Sequence, residues 1–137
     1  MSRIDEFNHA CSLVFSELYE AFPVPISIDP VSVGFIERSN LNNEPRRIFS
    51  ATMNFLADEH YIQYDRATDE NHQKQKVRLT AKGLTRLQRI PEGIRPQAKT
   101  LIEQLKEAGT SIGSQVSNSA TTESVAQVLK LIFTNAS

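Results

Sequence analysis

One stretch of this chain, residues 49–87, decides its fold: FSATMNFLADEHYIQYDRATDENHQKQKVRLTAKGLTRL. Apolar side chains recur at steps of three and four as far as Leu56, which predicts the second half of an amphipathic helix. Apolar and polar side chains then alternate over 61–66 and again over 76–80, which predicts two strands. The polar segment between them, 67–75, contains no Asn-Gly or Asp-Gly pair, so we predict a long, mobile tip and not a tight turn.

The chain before this stretch is predicted to hold a first helix, a short strand and a second, short helix. Residues 4–22 repeat apolar side chains at helical spacing, and the prolines that follow end this helix. Residues 24–28 are short and rich in β-branched side chains, which is typical of a strand. Asp29 followed by Pro30 predicts the start of a short helix. Its buried side would consist of Val33, Phe35 and Ile36.

A third predicted helix begins near Asn43 and runs into the quoted stretch. Its buried stripe is predicted to be Ile48, Phe49, Thr52, Met53, Phe55 and Leu56. The same spacing places Asn43, Arg47, Ser50, Asn54 and Asp58 on the opposite side. This helix therefore has one apolar face and one polar face that is free to contact a partner.

The chain after the second strand is predicted to be helical. Thr80 is a candidate N-cap for a helix that Pro91 ends. Helical spacing of apolar side chains returns over 97–116 and over 123–133. Together the elements predict an α+β chain, mostly α, with a domain over 1–91 and a helical appendage over 97–134.

The appendage supplies two apolar stripes for which a three-helix domain has little need. We predict that it forms a homodimer or docks on another protein. The candidate oligomerisation residues are Leu101, Leu105, Ile112, Val116, Val125, Leu129 and Ile132. The alternative, with equal weight, is that these helices pack on the first helix of the same chain.

Composition excludes some classes of protein and leaves others open. No uninterrupted apolar run approaches the roughly 18 residues of a membrane span. The N-terminal residues carry acids where a signal peptide needs a basic start, and Cys11 is the only cysteine, so a cytoplasmic protein is expected. Residues 1–59 carry four basic and nine acidic side chains, whereas residues 60–90 carry seven basic and three acidic. Positive charge therefore concentrates in the hairpin and the helix after it, as a nucleic-acid-binding surface requires.

Two phrases in the quoted stretch carry a family resemblance. Residues 56–62 read Leu-Ala-Asp-Glu-His-Tyr-Ile, and residues 79–83 read Leu-Thr-Ala-Lys-Gly. They resemble the phrases by which bacterial winged helix-turn-helix regulators enter and leave the wing hairpin. His60 stands where that family usually has glycine, at a position that often follows a helix end in the left-handed conformation. The resemblance covers about 26–90 and implies a winged helix with a two-stranded wing.

The resemblance also implies a function, a DNA-binding transcriptional regulator whose third helix enters the major groove of double-stranded DNA. Arg and Asn are the side chains that read guanine and adenine, and basic wing residues would contact phosphates. The candidates are Asn43, Arg46, Arg47, Ser50 and Asn54 on the helix and Arg66, Lys74, Lys76 and Arg78 on the wing. Lys82 and Arg86 would extend this footprint. The alternative is a protein-interaction adaptor that docks through its acidic front half and its apolar C-terminal helices.

Catalysis and metal binding have little support in the sequence. It contains no Gly-rich phosphate loop, nucleophile elbow or HExxH motif, so we expect a non-enzymatic protein. His9 and Cys11 are two residues apart and do not share a helical face. His60 and His72 have no Cys or acidic partner at ligand spacing. No metal and no cofactor are expected, and Cys11 is interpreted as a small core residue.

Overall fold

The computed structural model describes residues 3–70, 73–89, 100–113 and 119–134, with side chains except over 66–70, 108–113 and 119–124. The elements in chain order are α1 (Arg3–Ala21), β1 (Ile26–Ile28), α2 (Asn43–Asp58), β2 (Ile62–Glu70), β3 (Gln73–Leu79), α3 (Ala81–Leu87), α4 (Leu101–Gly113) and α5 (Ser119–Phe133). The strands form an antiparallel sheet in the order β1-β3-β2. The predicted α+β class, mostly helical, is confirmed.

Helix α1 lies at the centre of the molecule. Its buried side chains include Ala10, Cys11, Val14, Phe15 and Leu18. Against them pack α2, the strands β1 and β3, and both C-terminal helices. A single hydrophobic core therefore surrounds this one helix.

The prediction of a short helix after Asp29 is wrong. The chain makes a single helical turn there, which ends at Gly34. The Asp29 carboxylate accepts hydrogen bonds from the amides of Val31 and Ser32 at 2.9 Å each, as an N-cap does. Gly34 then adopts a left-handed backbone with φ of 84°. The Phe35 amide donates to the Pro30 carbonyl at 2.9 Å, the bond that closes a Schellman motif.

The side chains expected on that segment do pack inward. Val33 is buried, and the ring of Phe35 lies 5.5 Å from the ring of Phe49 on α2. The turn thus occupies the place of the predicted helix and fixes the chain against α1 and α2. One residue of the predicted α2 stripe was misplaced, because Phe55 is 42% exposed.

The hairpin of β2 and β3 differs from the prediction in its length and its register. The strands extend to Glu70 and from Gln73, so the predicted long tip over 67–75 is wrong. The register of pairing between β3 and β2 shifts by one residue between Gln63 and Asp65. The register between β3 and β1 also shifts by one residue, between Ile26 and Ile28. Lys76 has φ of 55° at this shift, so it is the extra residue of a β-bulge.

Helix α2 ends in a second Schellman motif centred on His60, whose φ is 66°. The Tyr61 amide donates to the Leu56 carbonyl at 2.9 Å, and the His60 amide donates to the Ala57 carbonyl at 3.0 Å. Both Leu56 and Tyr61 are buried, which supplies the apolar contact typical of this motif. The left-handed conformation expected from the sequence at His60 is confirmed.

Replacing His60 by glycine is expected to raise the free energy of unfolding by about 0.5–1 kcal/mol. A left-handed backbone costs a residue with a side chain about 1–2 kcal/mol, and glycine avoids this cost. Glycine also loses more conformational entropy on folding, which reduces the net gain in stability. Urea denaturation followed by circular dichroism measures the change. Glu59→Gly is the matched control, because Glu59 has φ of −88° and should lose stability. Loss of stability in both variants would contradict the left-handed cap.

Helix α3 follows β3 and packs its first turn against the chain that leaves α2. The Thr80 side chain accepts a hydrogen bond from the Gly83 amide at 3.1 Å and donates to the His60 carbonyl, which confirms the predicted N-cap. A Cβ added to Gly83 would lie 2.2 Å from the Tyr61 carbonyl oxygen. The glycine of the Leu-Thr-Ala-Lys-Gly phrase is therefore required by close approach of two main chains.

The C-terminal helices pack on α1 within the same chain. Leu101, Leu105, Val125, Leu129 and Ile132 are all buried there, with at most 2% exposure. These five predicted oligomerisation residues are used in the core of one chain, which is the intramolecular alternative. Ile112 and Val116 fall outside the described side chains. Dimer formation itself stays a prediction.

Candidate nucleic-acid interface

Helix α2 presents one polar face outward, as the spacing predicted. Asn43, Arg47 and Asn54 are exposed, and Ser50 is half-buried. The Asn42 side chain caps the helix by accepting from the Glu44 amide at 3.0 Å. All five predicted helix contacts lie on this capped helix, and four of them lie on its outward polar face.

Arg46 has a different environment. It is half-buried, and its guanidinium donates to the Asn40 carbonyl at 2.9 Å. This bond ties the loop before α2 to the first turn of the helix. The structure therefore gives Arg46 a positioning role at the helix entry, which the sequence prediction did not include.

Two of the predicted contacts belong to networks within the chain. Glu44 bonds the exposed guanidinium of Arg47 at 3.2 Å. Asn54 accepts a hydrogen bond from the Tyr64 hydroxyl, which links the outer face of α2 to strand β2. The helix and the wing are thereby fixed relative to each other at their shared edge.

Lys74 was predicted to contact phosphate, and the structure contradicts this. Its side chain is 1% exposed, and its Nζ lies 5.4 Å from the centre of the Tyr64 ring. Lys74 falls in the predicted polar tip over 67–75, whereas β3 already begins at Gln73, and the bulge at Lys76 sets which side chains of the strand point inward. Lys74 and Val77 consequently both point inward, although they are three residues apart.

The remaining cations predicted on the hairpin differ in exposure. Lys76 is exposed at the bulge, and Arg78, two residues further along β3, is half-buried. The side chain of Arg66 lies outside the described residues. Lys76 and Arg78 therefore both reach solvent from β3, the strand that lies between β1 and β2.

The cations of α3 bond main-chain carbonyls of neighbouring elements, and their predicted part in the DNA footprint stays a prediction. The Lys82 ammonium donates a hydrogen bond to the Glu59 carbonyl at 2.9 Å, and its Nζ lies 4.5 Å from the centre of the Tyr61 ring. Arg86 donates to the carbonyls of Ile132 and Thr134 at 2.9 Å each. Cationic donors at the last carbonyls of a helix satisfy its unpaired acceptors, so Arg86 caps α5.

Arg89 joins this cap by donating to the Leu131 carbonyl. Sequence reasoning missed the capping roles because the partners are main-chain atoms more than 40 residues away. The only available signal was the position of both arginines near the C-terminal end of the predicted α3.

Two titratable groups of α1 are shielded from solvent, those of Cys11 and His9. Cys11 is fully buried, and burial raises the pKa of its thiol well above the usual value, which confirms its interpretation as a core residue. Burial lowers the pKa of His9, whose ring lies 5.5 Å from that of Phe35. Among the described residues, no group of three His, Cys, Asp or Glu side chains could hold a metal ion.

Comparison with known proteins adds no assignment to this geometry. A scan against family models, a search of curated proteins and a search of solved structures each gave no match to the chain. Over the described ranges, every helix is too short or too polar to cross a bilayer.

Proposed function

We propose that this protein is a non-enzymatic winged-helix DNA-binding protein that acts as a transcriptional regulator. In this proposal α2 enters the major groove of double-stranded DNA, and the hairpin of β2 and β3 lies on the phosphate backbone. The observation that carries it is the exposed polar face of α2, which the bond between Asn54 and Tyr64 joins to β2, the strand that pairs with the cation-bearing β3. Arg47, Lys76 and Arg78 are the side chains expected to contribute most.

The architecture supports this proposal at several points. A helical turn precedes α2, the hairpin of β2 and β3 follows it, and β1, from before the turn, completes an antiparallel sheet in the order β1-β3-β2. The bond between Asn54 and Tyr64 fixes the helix and hairpin as one surface. A surface with fixed geometry suits a groove and a backbone that must be contacted at the same time.

The predicted basic footprint is smaller in the structure, which favours one alternative function. Lys74 is buried, and Lys82 and Arg86 bond the main chain. Phe55 is partly exposed beside Phe7, with ring centres 5.5 Å apart. An exposed aromatic side chain is a typical anchor of a protein interface, so an adaptor that docks on proteins is the second candidate.

The apolar stripes of α4 and α5 do not support the adaptor as first formulated, because the described part of those stripes is buried. An adaptor would instead use the exposed side of α1 and α2. The two proposals therefore place the partner on overlapping surfaces but depend on different side chains. DNA binding depends on the cations, and protein binding depends on the exposed aromatic ring.

Removing the exposed cations is expected to weaken duplex binding. Each lost phosphate contact should lower the slope of log affinity against log salt by about one unit, so Arg47→Ala combined with Lys76→Ala should lower it by about two. Fluorescence anisotropy with a random-sequence duplex across a salt series measures this. Lys130→Ala is the control, since Lys130 is an exposed cation of α5.

The outcomes separate the two candidates. No duplex binding by the wild type at low salt contradicts the DNA proposal. Equal slopes for the double variant and Lys130→Ala would show that binding uses another surface. If the adaptor is correct, Phe55→Ala should abolish capture of a protein partner while both cation variants retain it.

A further inference from the structure

A carboxylate joins two arginines that are far apart in the sequence. Oε1 of Glu44 lies 3.2 Å from Nη2 of Arg3, and Oε2 lies 3.2 Å from Nη1 of Arg47. Arg3 and Glu44 are 41 residues apart, so the fold of α1 against α2 brings them together. Two guanidinium groups thus face one anion on the rim of the proposed DNA surface.

Stability gives little reason for this arrangement. The side chains of Arg3, Arg47 and Glu44 are 81%, 73% and 45% exposed, and exposed ion pairs contribute only about 0–1 kcal/mol. Arg3 also lies in the first turn of α1, where the helix dipole disfavours a cation. Its position is better explained by an anion that it binds than by the helix that carries it.

We propose that Arg3 and Arg47 form a phosphate-binding clamp for double-stranded DNA, and that Glu44 is an internal anion which occupies the clamp until a backbone phosphate displaces it. This inference rests on the proposed function and adds Arg3, a residue of α1, to the surface. Guanidinium groups bind carboxylate and phosphate through the same fork of N–H donors. One group can therefore replace the other without rearrangement of the main chain.

The clamp implies effects of opposite sign for its members. Arg3 and Arg47 attract the phosphate, whereas Glu44 competes with it and repels it after displacement. Removing the charge of Glu44 should therefore strengthen DNA binding, and removing Arg3 should weaken it. A purely structural role for the ion pairs predicts no gain of affinity from any of these changes.

The test is duplex affinity by fluorescence anisotropy at fixed salt, for the wild type, Glu44→Gln, Arg3→Ala and the double variant. Glu44→Gln should bind about threefold more tightly, as expected for removing one like charge about 6 Å away in water. Arg3→Ala should bind more weakly in both backgrounds. Glu17→Gln removes one negative charge and is the control for Glu44→Gln. Lys130→Ala removes one positive charge and is the control for Arg3→Ala. Both control positions are exposed and lie outside the clamp. Circular dichroism confirms that each variant is folded.

Each outcome has a defined meaning. Tighter binding by Glu44→Gln than by Glu17→Gln, with weaker binding by Arg3→Ala than by Lys130→Ala, supports the clamp. If the wild type binds but Arg3→Ala equals Lys130→Ala, or Glu44→Gln equals Glu17→Gln, the clamp is wrong and the proposed function stands. If neither the wild type nor Glu44→Gln binds duplex DNA, both are wrong.

Discussion

Replacing Leu129 by aspartate is expected to unfold the whole chain and not the C-terminal helices alone. Leu129 is 2% exposed, and α5 shares its core with α1 and α4. Burying an unpaired carboxylate there costs several kcal/mol, in addition to the lost apolar contact. A domain of this size has a stability of only about 5–15 kcal/mol, so most of it would be lost.

A second observation supports a cooperative loss. The ring of Phe133, at the end of α5, lies 5.1 Å from that of Tyr61 and 6.1 Å from that of Phe55. It also lies 6.3 Å from the rings of Phe7 and Phe15 on α1. The last turn of α5 therefore completes an aromatic cluster that includes the start of β2 and the end of α2.

Far-UV circular dichroism and thermal unfolding of Leu129→Asp measure this effect. Gln127→Asp is the matched control, because it places the same charge at an exposed position of the same helix. The control should unfold close to the wild-type temperature. A Leu129→Asp variant that loses only part of its helix signal, while the remainder still unfolds cooperatively, would show that residues 97–134 form a separate appendage.

Replacing Gly83 by alanine is expected to lower the free energy of unfolding by about 2–4 kcal/mol. The new Cβ would lie 2.2 Å from the carbonyl oxygen of Tyr61, a separation that real Cβ atoms do not reach. This oxygen cannot easily move away, because it accepts a hydrogen bond from the Thr80 amide at 3.1 Å. Overpacking that requires main-chain movement destabilises by about 1–3 kcal/mol, and by more where the shift breaks other bonds.

Gly34→Ala is the control for the Gly83 variant. Nothing lies within 4 Å of a Cβ at Gly34, so the cost there is the left-handed backbone, reduced by the loss of glycine flexibility in the unfolded chain, about 0.5–1 kcal/mol. Urea denaturation of both variants gives the comparison. An effect at Gly83 no larger than that at Gly34 would mean that α3 does not approach Tyr61 this closely.

The sequence predicted those parts of the fold that depend on local patterns. The spacing of apolar side chains located α1, α2 and the C-terminal helices, and the Thr80 cap located the start of α3. These features arise from periodicity and from side chains that bond their own main chain, so nearby residues determine them. The α+β class followed from the order of these elements.

The errors arose where one residue changes the path of the main chain. Gly34 ends a helix after one turn, and Lys76 adds a residue to β3 and turns Lys74 into the interior. Hydrophobic periodicity reveals neither position. A bulge exchanges the inward and outward positions on one side of itself, and the left-handed backbone of Gly34 has no apolar signal. From Lys76 to Leu79 the burial of side chains follows the alternation predicted for residues 76–80.

The candidate site was less predictable than the fold because several charged side chains bond residues that are distant in the sequence. Arg86 looked like a surface cation in the sequence but caps α5, 46 residues later in the chain. Arg3 looked unremarkable at the start of α1 but lies beside Glu44. Whether a cation binds a partner or its own chain depends on tertiary neighbours that spacing alone does not reveal.

The cap that Arg86 and Arg89 provide for α5 has a consequence for how the protein folds during its synthesis. A ribosome makes the hairpin of β2 and β3, α3 and the centre of α1 before it makes residues 129–134. Until then the aromatic rings of Phe7, Phe15, Phe55 and Tyr61 lack Phe133, and Arg86 and Arg89 lack their carbonyl acceptors. The nascent chain therefore exposes an incomplete core until α5 has emerged, a state that invites aggregation.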